Sequence, residues 1–348
     1  MSDAPAGYAP SAAEVERLEA FLAERDLAGP SITLTPIGDG HANLTYLATS
    51  SGGSDDTRRV VVRRPPPPPL PPGANDVLRE AGVMAAVGAA GGVPVPAVLA
   101  TAEAGEVFDV PFFLMSFVEG PVVTSSAPAD LTVDDRRELS FALADTLAAL
   151  HSIDWRETGL HGRPEGSNQR QRSRLARLVA TPAGEPPPEF ADVEAWLTSN
   201  APVESGAAIV HGDFRIGNLL LDPAFPRIAA VLDWELATVA DPLVDLGYLL
   251  ASWAPPGAAS LTPIQELGSA TSSPGFASPS TLAEHYFAAR GLPEVDVSWY
   301  VALANWKLAV LYEYSRRRFD AGVGDPYYAG PEKVSALLRA ARRAAGLA

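Results

Sequence analysis

Between positions 209 and 235 the chain reads IVHGDFRIGNLLLDPAFPRIAAVLDWE, and no other stretch constrains the fold as tightly. Two apolar runs, Leu219–Leu221 and Ile228–Leu232, read as short strands. Asp222-Pro223-Ala224-Phe225-Pro226 between them carries turn chemistry, so the predicted unit is a hairpin. In an antiparallel hairpin the start of the first strand lies beside the end of the second. Asn218 and Asp233, fifteen positions apart, are therefore expected to meet. Asp213 precedes them in a loop opened by His211-Gly212. Two carboxylates and an amide oxygen at one sheet end make a hard, all-oxygen site. Such a site favours Mg²⁺ and leaves positions open for substrate oxygens.

His211-x-Asp213-x4-Asn218, followed by Leu232-Asp233-Trp234-Glu235, resembles the catalytic and metal-binding segments of the aminoglycoside phosphotransferase family of kinase-like enzymes. The longer wording HGDFRIGN…VLDWELATVADPLVDLGY is especially similar to the branch found fused to, or encoded near, acyl-CoA dehydrogenases. The combined pattern is specific, whereas His-x-Asp alone is weak. It extends in order from about residue 30 to about residue 320. The resemblance implies an α+β, bilobal protein-kinase-like fold. Residues 1–118, with a leading helix over 11–25, would form a nucleotide-binding lobe with a five-stranded antiparallel sheet plus a helix. Residues 119–348 would form a mainly helical catalytic and substrate-binding lobe around the short hairpin.

Composition narrows the chemistry. The 348 residues suit two lobes, each with its own core. Hydrophobic content of 47% against 20% charged describes an ordered protein. Zero cysteines exclude disulfides, thiol catalysis and thiolate zinc sites. The only lysines, Lys307 and Lys333, lie far toward the C-terminus, which closes the P-loop route to ATP. A net charge of −16 argues against a nucleic-acid partner. It could attract a cationic substrate, although an acidic soluble surface is the commoner explanation. The opening MSDAPAGYAP has neither a basic region nor an apolar core, and no apolar run approaches membrane-spanning length. No membrane partner and a cytoplasmic location are the expectation.

In chain order, Ser11-Ala-Ala-Glu14 is a capping box ahead of Val15, Leu18, Phe21 and Leu22 at helical spacing. Residues 31–49 read as strand, glycine turn, strand, and Gly38 and Gly40 let backbone amides approach phosphate closely. Asn43 is a further candidate for phosphate contact, while His41 is better read as an exposed turn residue. Val60–Arg63 is a strand stopped by the proline run 65–69. The resemblance puts Arg63 where kinases carry the Lys that holds the α- and β-phosphates, with Arg64 the alternative if the register slips. A guanidinium there grips phosphate bidentately but gives up a compact point charge. Glu80, on a helix capped by Asn75 or Asp76, resembles the glutamate that steers this cation. VPVPAVLAT, EVFDV and PFFLMSFVEG read as three extended segments. The last ends in Glu119-Gly120, which resembles the connector between lobes. The resemblance implies an adenine slot there, which Met115 would border unless it is a core methionine, with the backbone near Ser116–Val118 bonding the base.

From 132 the pattern turns helical, with Leu139, Leu143, Leu147 and Leu150 as a core stripe and His151 at the helix end as a cap or loop contact. An Arg-rich helix is expected within 156–180 and another helix over 190–199. Asp245 resembles a buried family aspartate that braces the catalytic loop. Residues 254–280, rich in Pro, Ser, Ala and Gly, read as a mobile loop or lid. Helices follow at about 281–290, 297–319 and 331–346. On these, Trp299, Tyr300, Trp306 and Tyr312 are candidates to line an acceptor pocket, against core packing as the stronger reading of each.

Together these readings imply an ATP- and Mg²⁺-dependent phosphotransferase acting on a small-molecule hydroxyl, either aminoglycoside-like or a hydroxy acid or hydroxyacyl-CoA. Mg²⁺ would sit on Asn218 and Asp233, Asp213 would handle the hydroxyl proton, His211 would organise the loop, and Arg215 would face transferred phosphate or form a loop ion pair. The alternative is a nucleotide-binding pseudokinase or regulatory partner of an acyl-CoA enzyme, favoured by Arg63. Oligomeric state and the choice of ATP over GTP are left open.

Overall fold

The computed structural model describes residues 9–29, 31–38, 43–51, 57–67, 75–223 and 226–347. Gly40 and His41 of the glycine turn lie outside the described residues. The chain divides into two compact units, Met1–Glu119 and Gly120–Ala348.

The first unit opens with helix α1 (Ala12–Ala23), started by the capping box. Glu14 Oε2 accepts from the Ser11 amide at 2.7 Å, and Ser11 Oγ accepts from the Glu14 amide at 3.3 Å. Strands β1 (Ile32–Pro36), β2 (Leu44–Ser51), β3 (Thr57–Arg64), β4 (Val98–Ala102) and β5 (Phe112–Ser116) form one antiparallel sheet in the order β1-β2-β3-β5-β4. Helix α2 (Val77–Ala90) starts at Asp76, whose Oδ1 accepts from the Arg79 amide at 3.0 Å. Strand alternation sorts β3 into two faces. Val60 and Val62 enter the core with Leu18, Phe21, Phe112 and Leu114. Arg64 follows them, its guanidinium 4.9 Å from the Phe108 ring centroid. Arg63 points the other way, to Glu80 of α2.

The segment EVFDV is not a strand. Residues 104–110 turn back on themselves, with Gly105 at φ 94° donating its amide to Phe108 O at 2.7 Å. Val107, Phe108 and Val110 are buried nonetheless, so their apolar pattern serves the core from a turn.

The second unit is mainly helical. Its elements are α3 (Val133–Ser152), α4 (Ser167–Val179), α5 (Ala191–Ser199), β6 (Ala208–Val210), β7 (Leu219–Leu221), β8 (Ile228–Val231), β9 (Thr238–Ala240), α6 (Leu243–Ser252), α7 (Pro263–Glu266), α8 (Pro279–Ala289), α9 (Ser298–Asp320) and α10 (Glu332–Ala344). The leucine stripe of α3 is fully buried. β7 and β8 form the expected hairpin, and β6 pairs with β9 in a second small ribbon. α6 lies so close to α9 that a Cβ on Gly247 would come within 2.5 Å of Tyr300 Cβ. Only glycine permits that approach.

Residues 254–280 are folded, contrary to the lid expectation. They hold α7 and a 3-10 turn at Ser269–Ser272, with Ile264, Thr271 and Phe276 buried. Thr271 Oγ1 accepts from the Ala254 amide at 2.9 Å and donates to Gly268 O at 3.0 Å. The Pro, Ser and Gly content therefore encodes caps and tight turns. Among the described residues no helix is long and apolar enough to cross a membrane.

Candidate active site

β6 ends at Val210 and delivers the chain into the His211-Gly212-Asp213 loop, while its partner β9 closes the same segment from the other side. His211 is buried, with its ring 4.8 Å from that of Trp234. Its Nε2 donates to Leu232 O at 2.9 Å, and its Nδ1 accepts from the Asp213 amide at 3.2 Å. Both contacts are met at once by the imidazole with its proton on Nε2. His211 thus ties the loop to the end of β8.

Gly212 has φ 85°, and a Cβ there would lie 2.8 Å from Leu236 O. Its amide donates to Asp245 Oδ1 at 2.8 Å, and the His211 amide donates to Asp245 Oδ2 at 2.6 Å. Asp245 is fully buried in the first turn of α6. Burial alone would raise its pKa. The hydrogen bond and charge of His151, with the backbone amide of His211, outweigh burial and hold the carboxyl below its usual value. His151 is itself buried, and burial lowers its pKa. It bonds Tyr286 Oη at 2.7 Å through Nδ1 and lies 3.4 Å from Asp245 Oδ2 through Nε2. The residue expected at a helix end as a cap is therefore an interior strut between α3, α6 and α8.

Asp213 and Asn218 are brought together. Asn218 Nδ2 donates to both Asp213 O and Asp213 Oδ2 at 2.8 Å. That fixes the amide and leaves its oxygen without a hydrogen-bond donor among the described residues. Asp213 Oδ1 likewise accepts no hydrogen bond among them. It lies 3.7 Å from Arg215 Nε. The hairpin register sets Asn218 beside Leu232, with the Leu232 amide on Asn218 O at 2.8 Å. Asp233, next in the chain, takes a left-handed φ of 67° as the strand ends.

Three groups of this unit carried weak sequence signals. Lys307 of α9 donates from Nζ to Gly212 O at 3.0 Å and stands 5.1 Å from the Tyr248 ring centroid. Tyr248 is buried, and burial followed by the Asp213 charge pushes its phenol well above the usual value. Asp241, just before α6, is a buried hub whose Oδ2 accepts from Asn168 Nδ2 at 2.9 Å and from Tyr300 Oη at 2.7 Å. Lys307 was detectable as the lone lysine inside an apolar helix, and Tyr248 as part of the DLGY wording. Nothing local distinguished Asp241 from a helix-capping acid. Trp299, Tyr300 and Trp306 are core residues, at 5%, 2% and 0% exposure. Trp299 Nε1 donates to Leu197 O, and Tyr312 packs against Tyr327 and Tyr328.

In the first unit Arg63 Nε lies 2.9 and 3.0 Å from the two oxygens of the buried Glu80, and its Nη1 donates to Thr45 Oγ1 at 3.2 Å. Gly38 has φ 77°, and the buried Asn43 accepts from Asn75 Nδ2 at 3.0 Å. Met115 is buried and paired in register with Val61, on the Arg63 face. Ser116 spends its amide on Ala97 O and its Oγ on the Ala97 amide, both at 2.9 Å. That leaves the stretch through Val118 as the part of this segment whose backbone lies beyond the strand.

An antiparallel sheet with a buried strand-to-helix Arg–Glu pair, followed in sequence by a helical unit whose loop and hairpin present His-x-Asp, Asn and Asp, defines the class of kinase-like phosphoryl-transfer proteins. A family model described as the phosphotransferase enzyme family matches residues 33–281. The chain belongs to that family. It is 37% identical to acyl-CoA dehydrogenase family member 11 of Gallus gallus over 182 residues, covering 51% of this chain and 23% of that protein. It is 30% identical to the Homo sapiens protein of the same name over 254 residues, covering 71% and 32%. The chain thus spans a quarter to a third of the length of these relatives. A crystal structure from Ralstonia eutropha JMP134, described as a candidate aminoglycoside phosphotransferase, superposes with a TM-score of 0.77 at 26% identity, covering 95% of this chain and 98% of the other.

Proposed function

We propose that this phosphotransferase moves the γ-phosphoryl group of ATP, held with Mg²⁺, to the hydroxyl of a hydroxy acid or hydroxyacyl thioester. The observation that carries the reading is Asp213. One of its carboxylate oxygens is fixed by Asn218, and the other accepts no hydrogen bond among the described residues. A carboxylate so placed can orient an acceptor hydroxyl and take its proton as the hydroxyl oxygen bonds to phosphorus and the bond to ADP breaks. Arg63, steered by Glu80, would hold the α- and β-phosphates, aided by the Gly38 turn and Asn43. Met115 and the backbone near Val118 would receive the base.

The residues fit a magnesium ion. Asn218 is turned so that its nitrogen is spent on Asp213 and its oxygen is left to a hard cation, with Asp233 as the second oxygen donor. When bound, the ion neutralises charge on the nucleotide phosphates. Acceptor chemistry is supported by charge. Arg215 lies 3.7 Å from Asp213, and Arg174 is close enough to Lys307 to act on it electrostatically. Cations around the reacting carboxylate suit an anionic acceptor better than a polycationic sugar. The acyl-CoA names of the relatives point the same way.

The test is ADP release from Mg-ATP with the purified protein and a panel of hydroxy acids, hydroxyacyl-CoA esters and aminoglycosides. Turnover is expected on the acyl acceptors, and Asp213→Asn should lower kcat by on the order of 10²–10⁴. ATP binding without turnover on any acceptor would overturn the catalytic reading in favour of a nucleotide-binding regulator.

A further inference from the structure

Lys307 is out of keeping with its surroundings. Its neighbours on α9, Ala302 through Trp306 with Ala309 and Val310, are buried. All but two of the 26 basic residues in the chain are arginines, so a compact ammonium at this point departs from the protein's usage. Partial burial lowers its pKa, and the charges of Asp213 and Asp245 pull it back up. The ammonium therefore feels the charge of the reacting carboxylate and of the carboxylate that anchors the loop.

Among the described residues its hydrogen-bond acceptor is the carbonyl of Gly212, at 3.0 Å. That carbonyl belongs to the peptide joining Gly212 to Asp213. The N–H of the same peptide is held by His211 Nδ1 at 3.2 Å, and the amide before it by Asp245 Oδ1 at 2.8 Å. A glycine at φ 85° offers the least resistance to rotation of the plane that follows it. The direction of the Asp213 side chain depends on that plane.

We propose that Lys307 is a positioning residue for phosphoryl transfer, fixing the Gly212–Asp213 peptide so that the Asp213 carboxylate faces the acceptor hydroxyl. This rests on the phosphotransferase reading above. Lys307 acts through the loop and does not touch the nucleotide.

The experiment compares wild type with Lys307→Met and Lys307→Ala, using Lys333→Met as a control on the other lysine. Thermal melts establish which variants are folded. Lys307→Met should lose on the order of 10²-fold in kcat, the scale of a misplaced catalytic group, with KM for ATP changed less than about threefold. Added ethylammonium should restore about tenfold to Lys307→Ala, which a packing role would not allow. Amide exchange at Asp213 should quicken about tenfold in Lys307→Met, read without any acceptor. Unchanged kcat in folded Lys307→Met, a rise confined to the acceptor KM, or unchanged Asp213 exchange would each overturn the inference. Failure of the wild type to turn over any acceptor would sink the phosphotransferase reading instead, and the exchange measurement would still decide the role of Lys307.

Discussion

Gly212 shows how one residue carries geometry on behalf of its neighbours. It joins the buried His211 to Asp213, in a conformation that side chains resist and against the backbone of Leu236. Gly212→Ala should destabilise the fold by about 1–3 kcal/mol through backbone strain alone, read as a fall in the urea midpoint. It should also cost more activity than stability, since the loop must rotate to relieve the contact. At this scale the sequence was legible where residue type and spacing are chemically demanding: His211, Asp213 and Asn218 stand in one loop ahead of the hairpin, and Asp245 bonds that loop from α6. It was illegible where a partner comes from far along the chain. Lys307 meets Gly212 across 95 positions, and Tyr300 meets Asp241 across 59. Nothing near either residue announces the other.

Among elements, α6 does the most to hold the loop, because Asp245 in its first turn accepts two consecutive backbone amides. Asp245→Asn keeps the shape but turns one acceptor into a donor facing an N–H, at a cost on the order of 3 kcal/mol. A carboxyl whose folded pKa is depressed stabilises the fold fully above its unfolded pKa of about 3.9 and less as pH falls toward the folded value. The gap in urea midpoint between wild type and Asp245→Asn should therefore be full at pH 7 and shrink below about pH 4. A gap that stays constant through that range would contradict the assignment. Element types were legible where periodicity is long, as in the α3 stripe, and failed where composition stood in for pattern. EVFDV has β-branched and aromatic residues typical of strands, yet Gly105 turns it back. Residues 254–280 are rich in breakers that serve as caps and turns within a packed segment.

For the whole molecule, each compact unit carries one part of the proposed chemistry: the Arg63–Glu80 pair in the first, and the Asp213 loop with its hairpin in the second. Saturating Mg-ATP should stabilise the protein by about 2.7 kcal/mol at 100 times its dissociation constant, seen as a rise in melting temperature. Arg63→Met should abolish most of that rise, whereas Asp213→Asn should retain it. EDTA should remove it from both the wild type and Asp213→Asn. A guanidinium at position 63 has a further consequence. It stays cationic at every pH the fold survives, and it is not a nucleophile toward activated acyl groups under conditions that modify an amine. In a protein whose proposed acceptors include thioesters, the proposed grip on the triphosphate would thus be built from a basic side chain that such acceptors do not acylate.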